Sequence, residues 1–180
     1  MKKILLLATI CVLAAVSCQK GDGDAEYGIA QVYITQAMTN GTIDNVYAVP
    51  GGDDVYTYNF KVEENVVKVF LSVYRSGKLD VDEVTVDVVA DDAASAQQAT
   101  ALGAAIMPQD MYSLPAKVTV PAGQNAVTFY LELQKSALSA ASGKVYVLCV
   151  GVKNPTAFQL YEPASQVIVK LDVDAMKAFI

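Results

Sequence analysis

Val84-Thr85-Val86-Asp87-Val88 sets the reading of this 180-residue chain. Valine at every second position, with Thr85 and Asp87 between, gives an extended backbone one apolar and one polar face, because successive strand side chains point to opposite sides. The same period recurs outward in both directions. Upstream, Val67, Val69, Leu71 and Val73 alternate and end at Arg75-Ser76-Gly77-Lys78. Before them come Val32-Tyr33-Ile34, Val46 to Val49 with the turn Pro50-Gly51-Gly52-Asp53-Asp54, and the alternation Tyr56, Tyr58, Phe60, Val62. Downstream, Val118 and Val120 lead to the turn Pro121 to Asn125, and Val127, Phe129, Leu131 and Leu133 share one face. Val145 to Val152 is almost continuously apolar, the pattern of a central strand covered on both sides. Val167, Val169, Leu171 and Val173 close the series.

Two stretches break the period. Ala93 to Ile106 is alanine-rich and follows Asp91-Asp92, which predicts one capped helix of about three turns, broken near Gly103 and stopped by Pro108. Ser136 to Gly143 reads as a helical turn or corner. Short strands with Gly/Pro turns and one helical connection predict an all-β chain, an immunoglobulin-like antiparallel β-sandwich.

Composition removes several chemistries. The chain has no histidine, so it holds no Ser-His-Asp triad, no Cys-His pair and no histidine-bound zinc. The 13 Lys+Arg form no basic run against 19 Asp+Glu, and the net charge of −6 argues against nucleic acid as a partner. Of the three cysteines, Cys149 lies inside the apolar run and reads as a buried, inert thiol.

The N-terminus reads as an export signal. Lys2 and Lys3 precede the apolar run Ile4–Val16, which is shorter than the roughly 20 residues a membrane-spanning helix needs. Ala15-Val16-Ser17-Cys18 resembles the lipobox of bacterial lipoproteins. That resemblance implies a signal peptide at 1–17, lipidation at Cys18 and a partner in the membrane through the N-terminal lipid anchor. Residues 18–27 then form a polar, acidic tether, resembling the signal that exports Bacteroidota lipoproteins to the outer face of the outer membrane; a solvated linker is the plain alternative. Asp22 and Asp24 lack the later ligands of a calcium loop. No metal and no cofactor is expected.

Several strings recur in a familiar order. They are Val32-Tyr33-Ile34-Thr35-Gln36-Ala37, Val73-Tyr74-Arg75-Ser76-Gly77, Val84-Thr85-Val86-Asp87-Val88 and Met107-Pro108. Tyr112-Ser113-Leu114-Pro115, Val120-Pro121-Ala122-Gly123, Tyr146-Val147-Leu148 and Val152 to Pro155 follow. Together they resemble the immunoglobulin-like domain of unassigned function at the N-terminus of Bacteroidota surface lipoproteins. In relatives that domain precedes an endo-β-N-acetylglucosaminidase domain or a lectin-like module, often in glycan-utilisation loci. The resemblance covers residues 28–174 and leaves 175–180 as a C-terminal tail. Met107 stands where leucine is expected before the proline, and Cys149 where another proline is expected. The sequence runs only to Ile180, so the activity of such downstream modules is not carried over.

Two residue types offer a site. The acidic pairs Asp53-Asp54, Glu63-Glu64, Asp82-Glu83 and Asp91-Asp92 fall at turns, where acids are solvated, and no enzymatic activity is expected. Ten tyrosines supply the other resource. Tyr56, Tyr58, Tyr74 and Tyr112, with Tyr47 and Tyr161, are candidates for an aromatic platform, although tyrosines in sandwiches also bridge core and surface. Arg75 is a candidate for gripping a sugar hydroxyl or carboxylate, or a structural arginine at a strand end. The resemblance implies a non-catalytic outer-membrane lipoprotein facing the cell exterior, an accessory or binding module in surface glycan capture. The alternative is a protein-interaction or structural, adhesin-like lipoprotein that binds no glycan.

Overall fold

The computed structural model describes residues 30–39, 41–77 and 82–180. The expected signal peptide, the lipidated Cys18 and the tether lie outside the described residues.

The period-two segments form the strands. In chain order the elements are β1 (Gln31–Ile34), β2 (Met38–Thr39), β3 (Thr42–Ile43), β4 (Val46–Val49), β5 (Phe60–Val62), β6 (Val66–Arg75) and β7 (Val84–Ala90). Then come α1 (Asp92–Leu102), β8 (Ala105–Ile106), β9 (Tyr112–Ser113), β10 (Lys117–Val120), β11 (Ala126–Gln134) and α2 (Lys135–Ala140). The series closes with β12 (Val145–Lys153), β13 (Gln159–Leu160), β14 (Gln166–Asp172) and α3 (Val173–Lys177).

The chain is an all-β sandwich. One sheet has the order β13-β1-β6-β11-β9, with β5 also paired to β6; the other has β10-β7-β12-β14-β4, with β8 beside β12. The long pairings, β6 with β11 and β12 with β14, are antiparallel as expected. Three short pairings depart from that expectation: β1 with β13, β12 with β8 and β14 with β4 are parallel. They arise where the chain returns to a sheet edge after a crossover instead of a hairpin.

Alternation places the core. On β6, Val67, Val69, Leu71, Val73 and Arg75 are buried, while Lys68, Phe70, Ser72 and Tyr74 point away and are partly exposed. The inward residues meet Val84, Val86 and Val88 of β7, Leu148 and Val150 of β12, and Val167, Val169 and Leu171 of β14 in one cluster. Each such Val or Leu contributes about 1.5–3 kcal/mol on burial.

The apolar run of β12 is covered on both faces. Leu148 and Val150 point into the sandwich, and the out-of-phase Val147 and Cys149 are also fully buried, where α1 packs with buried Ser95 and Ala99. This helix starts at its expected cap, where the Asp91 carboxylate accepts from the Ala94 N–H, but Gly103 at φ 63° ends it instead of only breaking it, and Ala105–Ile106, expected in the helix, pairs with β12 as β8. Its first turn also completes a sheet. β7 pairs with β12 as far as Ala90–Val150, and β8 takes over at Tyr146 and Val147. In the gap the Asp91 N–H donates to the Cys149 carbonyl at 2.9 Å, and the Cys149 N–H donates to Ser95 Oγ at 2.8 Å. Burial pushes the Cys149 thiol up, as befits an inert side chain.

One expected strand is shorter than its alternation. The segment Tyr56 to Val62 becomes extended only at Phe60, because local side chains capture the backbone first. The Asp54 carboxylate accepts from the Tyr56 and Thr57 N–H groups, and Thr57 Oγ1 accepts from the N–H groups of Asp53 and Asp54. Such turns compete directly with a sheet ladder. At the other end of the chain, residues 175–180 run from α3 back to this region, with Met176 buried and Phe179 against Phe60.

Candidate ligand-binding face

The sandwich has two outer faces, and α1 packs on one of them. The other, on the β6 sheet, is lined by the out-of-phase residues of its strands. β6 presents Lys68, Phe70, Ser72 and Tyr74; opposite them β11 presents Glu132, Tyr130, Thr128 and Ala126. β1 adds Tyr33 beside Tyr74, and β5 adds Lys61 beside Lys68.

A pocket opens where this face meets β5. About 380 Å³ in volume, it is lined by Val55, Tyr56, Tyr58, Phe60, Lys61, Val62, Phe70 and Phe179. That is at the small end of the roughly 300–1,000 Å³ usual for small-molecule sites. The rings are organised. Tyr58 stacks on Phe60 with centroids 5.2 Å apart and planes 15° apart, and Phe179 meets both edge-on, at 5.2 Å and 5.0 Å. Tyr56 stands at the tip of the 50–59 loop, 94% exposed, beside Val55 at 73%.

The loop is held in shape from below. The Gly51 N–H donates to Asn59 Oδ1 and Asn59 Nδ2 donates to the Ala48 carbonyl, both at 2.7 Å. Gly52 has φ +95°, and a Cβ there would lie 2.2 Å from the Thr57 carbonyl oxygen, so only glycine fits. Tyr47 on β4 lies at this edge of the sandwich, and burial pushes its phenol up to about 12.

Lys61, which lines the pocket, belongs to a charge network on the adjoining sheet face. Glu63 bridges Lys61 at 2.9 Å and Lys68 at 2.8 Å, and Lys68 also reaches Glu132 at 3.5 Å. Both ammonium groups sit over the Tyr130 ring, 4.9 Å and 5.5 Å from its centroid, and Tyr130 lies 5.8 Å from Phe70. The Lys68 and Lys61 hydrogen bonds hold the Glu63 carboxyl below its ordinary value, and Glu63 in turn raises Lys68. An apolar ring floor beside paired donors and acceptors suits a ligand with an apolar face and a rim of neutral polar groups.

The sequence candidates divide. Tyr56 and Tyr58 come together at this pocket. Tyr74 lies on the same face toward its other end, 5.2 Å from Tyr33, which meets Tyr161 at 6.2 Å; its hydroxyl accepts from Asn125 Nδ2. Arg75 points the other way and is buried: its Nε donates to the Gln124 carbonyl at 2.6 Å and its guanidinium lies 5.7 Å from the Phe158 ring. Tyr112 is also buried, its hydroxyl donating to Gln109 Oε1 at 2.8 Å. Sequence reasoning passed over Phe70, Tyr130 and Phe179. Phe70 and Tyr130 were legible, since each is out of phase with the buried residues of its strand.

Three of the four acidic pairs serve local structure. Asp54 shapes the loop, Glu63 joins the lysines, and Asp91 caps α1. Among the described residues no group of three or more His, Cys, Asp or Glu could hold a metal ion. Nor is any described helix long and apolar enough to cross a membrane.

Fold and face together define a β-sandwich domain with an aromatic surface pocket. The chain belongs to a family of N-terminal domains: the model described as "-like, N-terminal domain" matches residues 29–159. Among curated proteins no sequence matches it. Solved structures from Bacteroides share the fold. A protein of Bacteroides ovatus provisionally described as carbohydrate binding superposes with TM-score 0.54 at 14% identity, over 79% of this chain and 36% of its own. A multidomain protein of the same species that includes DUF1735 gives 0.55 at 14% identity, over 78% and 44%. A two-domain protein of unknown function from Bacteroides fragilis gives 0.54 at 15% identity, over 80% and 45%. The chain thus spans less than half the length of these structures.

Proposed function

We propose that this chain is a non-catalytic binding module that captures glycan at a bacterial cell surface, held to the outer membrane by lipid on Cys18. The observation that carries the reading is the pocket at β5, where Tyr56, Tyr58, Phe70 and Phe179 line a concave site with Lys61, whose ammonium is paired with Glu63 on the adjoining face. A sugar ring has a polarised C–H face, which an aromatic π-face attracts, and rim hydroxyls, which charged donors and acceptors bind. The description of the Bacteroides ovatus structure as carbohydrate binding supports the same reading.

Calorimetric titration with neutral oligosaccharides tests it. Tyr56→Ala and Phe70→Ala are expected to weaken binding at least tenfold with the fold retained by circular dichroism. No heat from any sugar at millimolar concentration would count against glycan capture. The anchor is tested separately: Cys18→Ala should move the protein from the membrane fraction to the soluble one.

A protein partner is the second reading. Val55, an exposed aliphatic side chain beside Tyr56, favours it, since such a group adds little to a sugar site.

A further inference from the structure

The aromatic residues of this face form two groups with a gap between them. Phe70 and Tyr74 both project outward from β6, four residues apart, so their attachment points are about 14 Å apart at ~3.4 Å per residue. Each has companions: Tyr130 beside Phe70, and Tyr33, with Tyr161 against it, beside Tyr74. The positions between carry Ser72 and, directly opposite on β11, Thr128. Both are small hydroxyl side chains, and Ser72 Oγ turns down to donate to the Val127 carbonyl at 3.2 Å. The gap is a low polar floor between two raised ring groups.

The electrostatics favour a neutral guest over a charged one. At the Phe70 end two lysines are matched by Glu63 and Glu132. At the Tyr74 end the hydroxyl's partner is the neutral Asn125 amide, and the whole chain carries −6. A polyanion would be repelled, and a cation would find the carboxylates already paired.

We propose that this face binds a neutral, linear oligosaccharide of three or more sugar units laid along β6, with one unit against Phe70 at the pocket, one over the Tyr74–Tyr33 group and the intervening hydroxyls above Ser72 and Thr128. A single ring cannot touch both groups. The inference rests on the proposed glycan function and adds to it the length and charge of the ligand.

Calorimetry of the full chain against malto-, cello-, manno- and xylo-oligosaccharides of one to six units, with heparin fragments as the anionic comparison, is the test. For the series that binds, affinity is expected to rise at least tenfold between one and four units and then level off. Tyr74→Ala should lower affinity for the tetramer at least fivefold while leaving the monomer unchanged, whereas Tyr56→Ala weakens both. Tyr74→Phe keeps the ring and is expected to bind like the unsubstituted protein, which separates loss of the ring from loss of the fold. Equal affinity for one and four units, with Tyr74→Ala silent, overturns the extended site but leaves the pocket standing. Tighter binding of heparin fragments than of any neutral chain overturns it as well. Absence of binding to every sugar overturns the glycan function and this inference together.

Discussion

Ser95 illustrates how one side chain joins two parts of this fold. Its hydroxyl donates to the Asp91 carbonyl at 2.7 Å and accepts the Cys149 N–H at 2.8 Å, while the residue itself is completely buried. The central strand would otherwise carry an unpaired N–H between its β7 and β8 pairings. Leaving a buried donor unsatisfied costs about 1–3 kcal/mol. Ser95→Ala is therefore expected to lower unfolding free energy by about that amount in urea denaturation, and no change in midpoint would refute the bridging role. Arg75 makes the complementary point. Its sequence setting, Arg-Ser-Gly at a strand end, is equally compatible with a surface grip and an internal brace. The inward phase it shares with Val73 puts the guanidinium under the sandwich end, against Phe158 and the Gln124 carbonyl.

Among the elements, the 50–59 loop carries most consequence for the site, since it holds Tyr56 and Val55 at the mouth of the pocket. Its shape depends on three side chains capturing backbone, Asp54, Thr57 and Asn59, and on the conformational freedom of Gly52. A methyl group at Gly52 would meet the Thr57 carbonyl carbon as well as its oxygen, at 2.4 Å and 2.2 Å, and L-residues disfavour φ +95° in any case. Gly52→Ala should cost more than about 1 kcal/mol and open the loop to limited proteolysis between Asp53 and Thr57. Unchanged protease resistance would mean that the loop's geometry is not what holds it. The alternation Tyr56, Tyr58, Phe60, Val62 predicts a longer strand than forms. Period two reports which face a residue would take in a ladder, and cannot weigh that ladder against an Asp or Thr side chain that satisfies the same N–H groups.

At the scale of the whole molecule, acid stability follows from carboxylates placed by the fold. The Asp91 carboxyl is held below its ordinary value chiefly by the Ala94 N–H, and Asp87 chiefly by Asn154 and then Lys117. A carboxylate with a depressed value in the folded state contributes stability that is complete above the unfolded value. That stability is lost as pH falls through the folded one. Unfolding free energy should therefore decline between roughly pH 5 and pH 2, and the Asp87→Asn, Asp91→Asn double variant should show a shallower decline. An identical slope in the variant would show that other groups govern acid unfolding. The same tertiary packing decides the candidate site. Tyr58 meets Phe179, more than a hundred residues later, because the chain beyond α3 returns to the β5 edge.

What this sequence determined by itself was local and periodic. The alternating valines of β6, β7 and β14, the two-sided apolar run of β12, and the Asp91 and Gly103 signals around α1 each specify an element from its nearest neighbours. Burial of one face then follows with little freedom, so the sandwich was legible. What only the tertiary structure decided was adjacency. The parallel edge pairings, the inward turn of Arg75 and the meetings of Phe70 with Tyr130 and of Tyr58 and Phe60 with Phe179 depend on which strand packs beside which. Pairing energy is set by contacts between residues far apart in the chain, and no period within a single segment records its future neighbour.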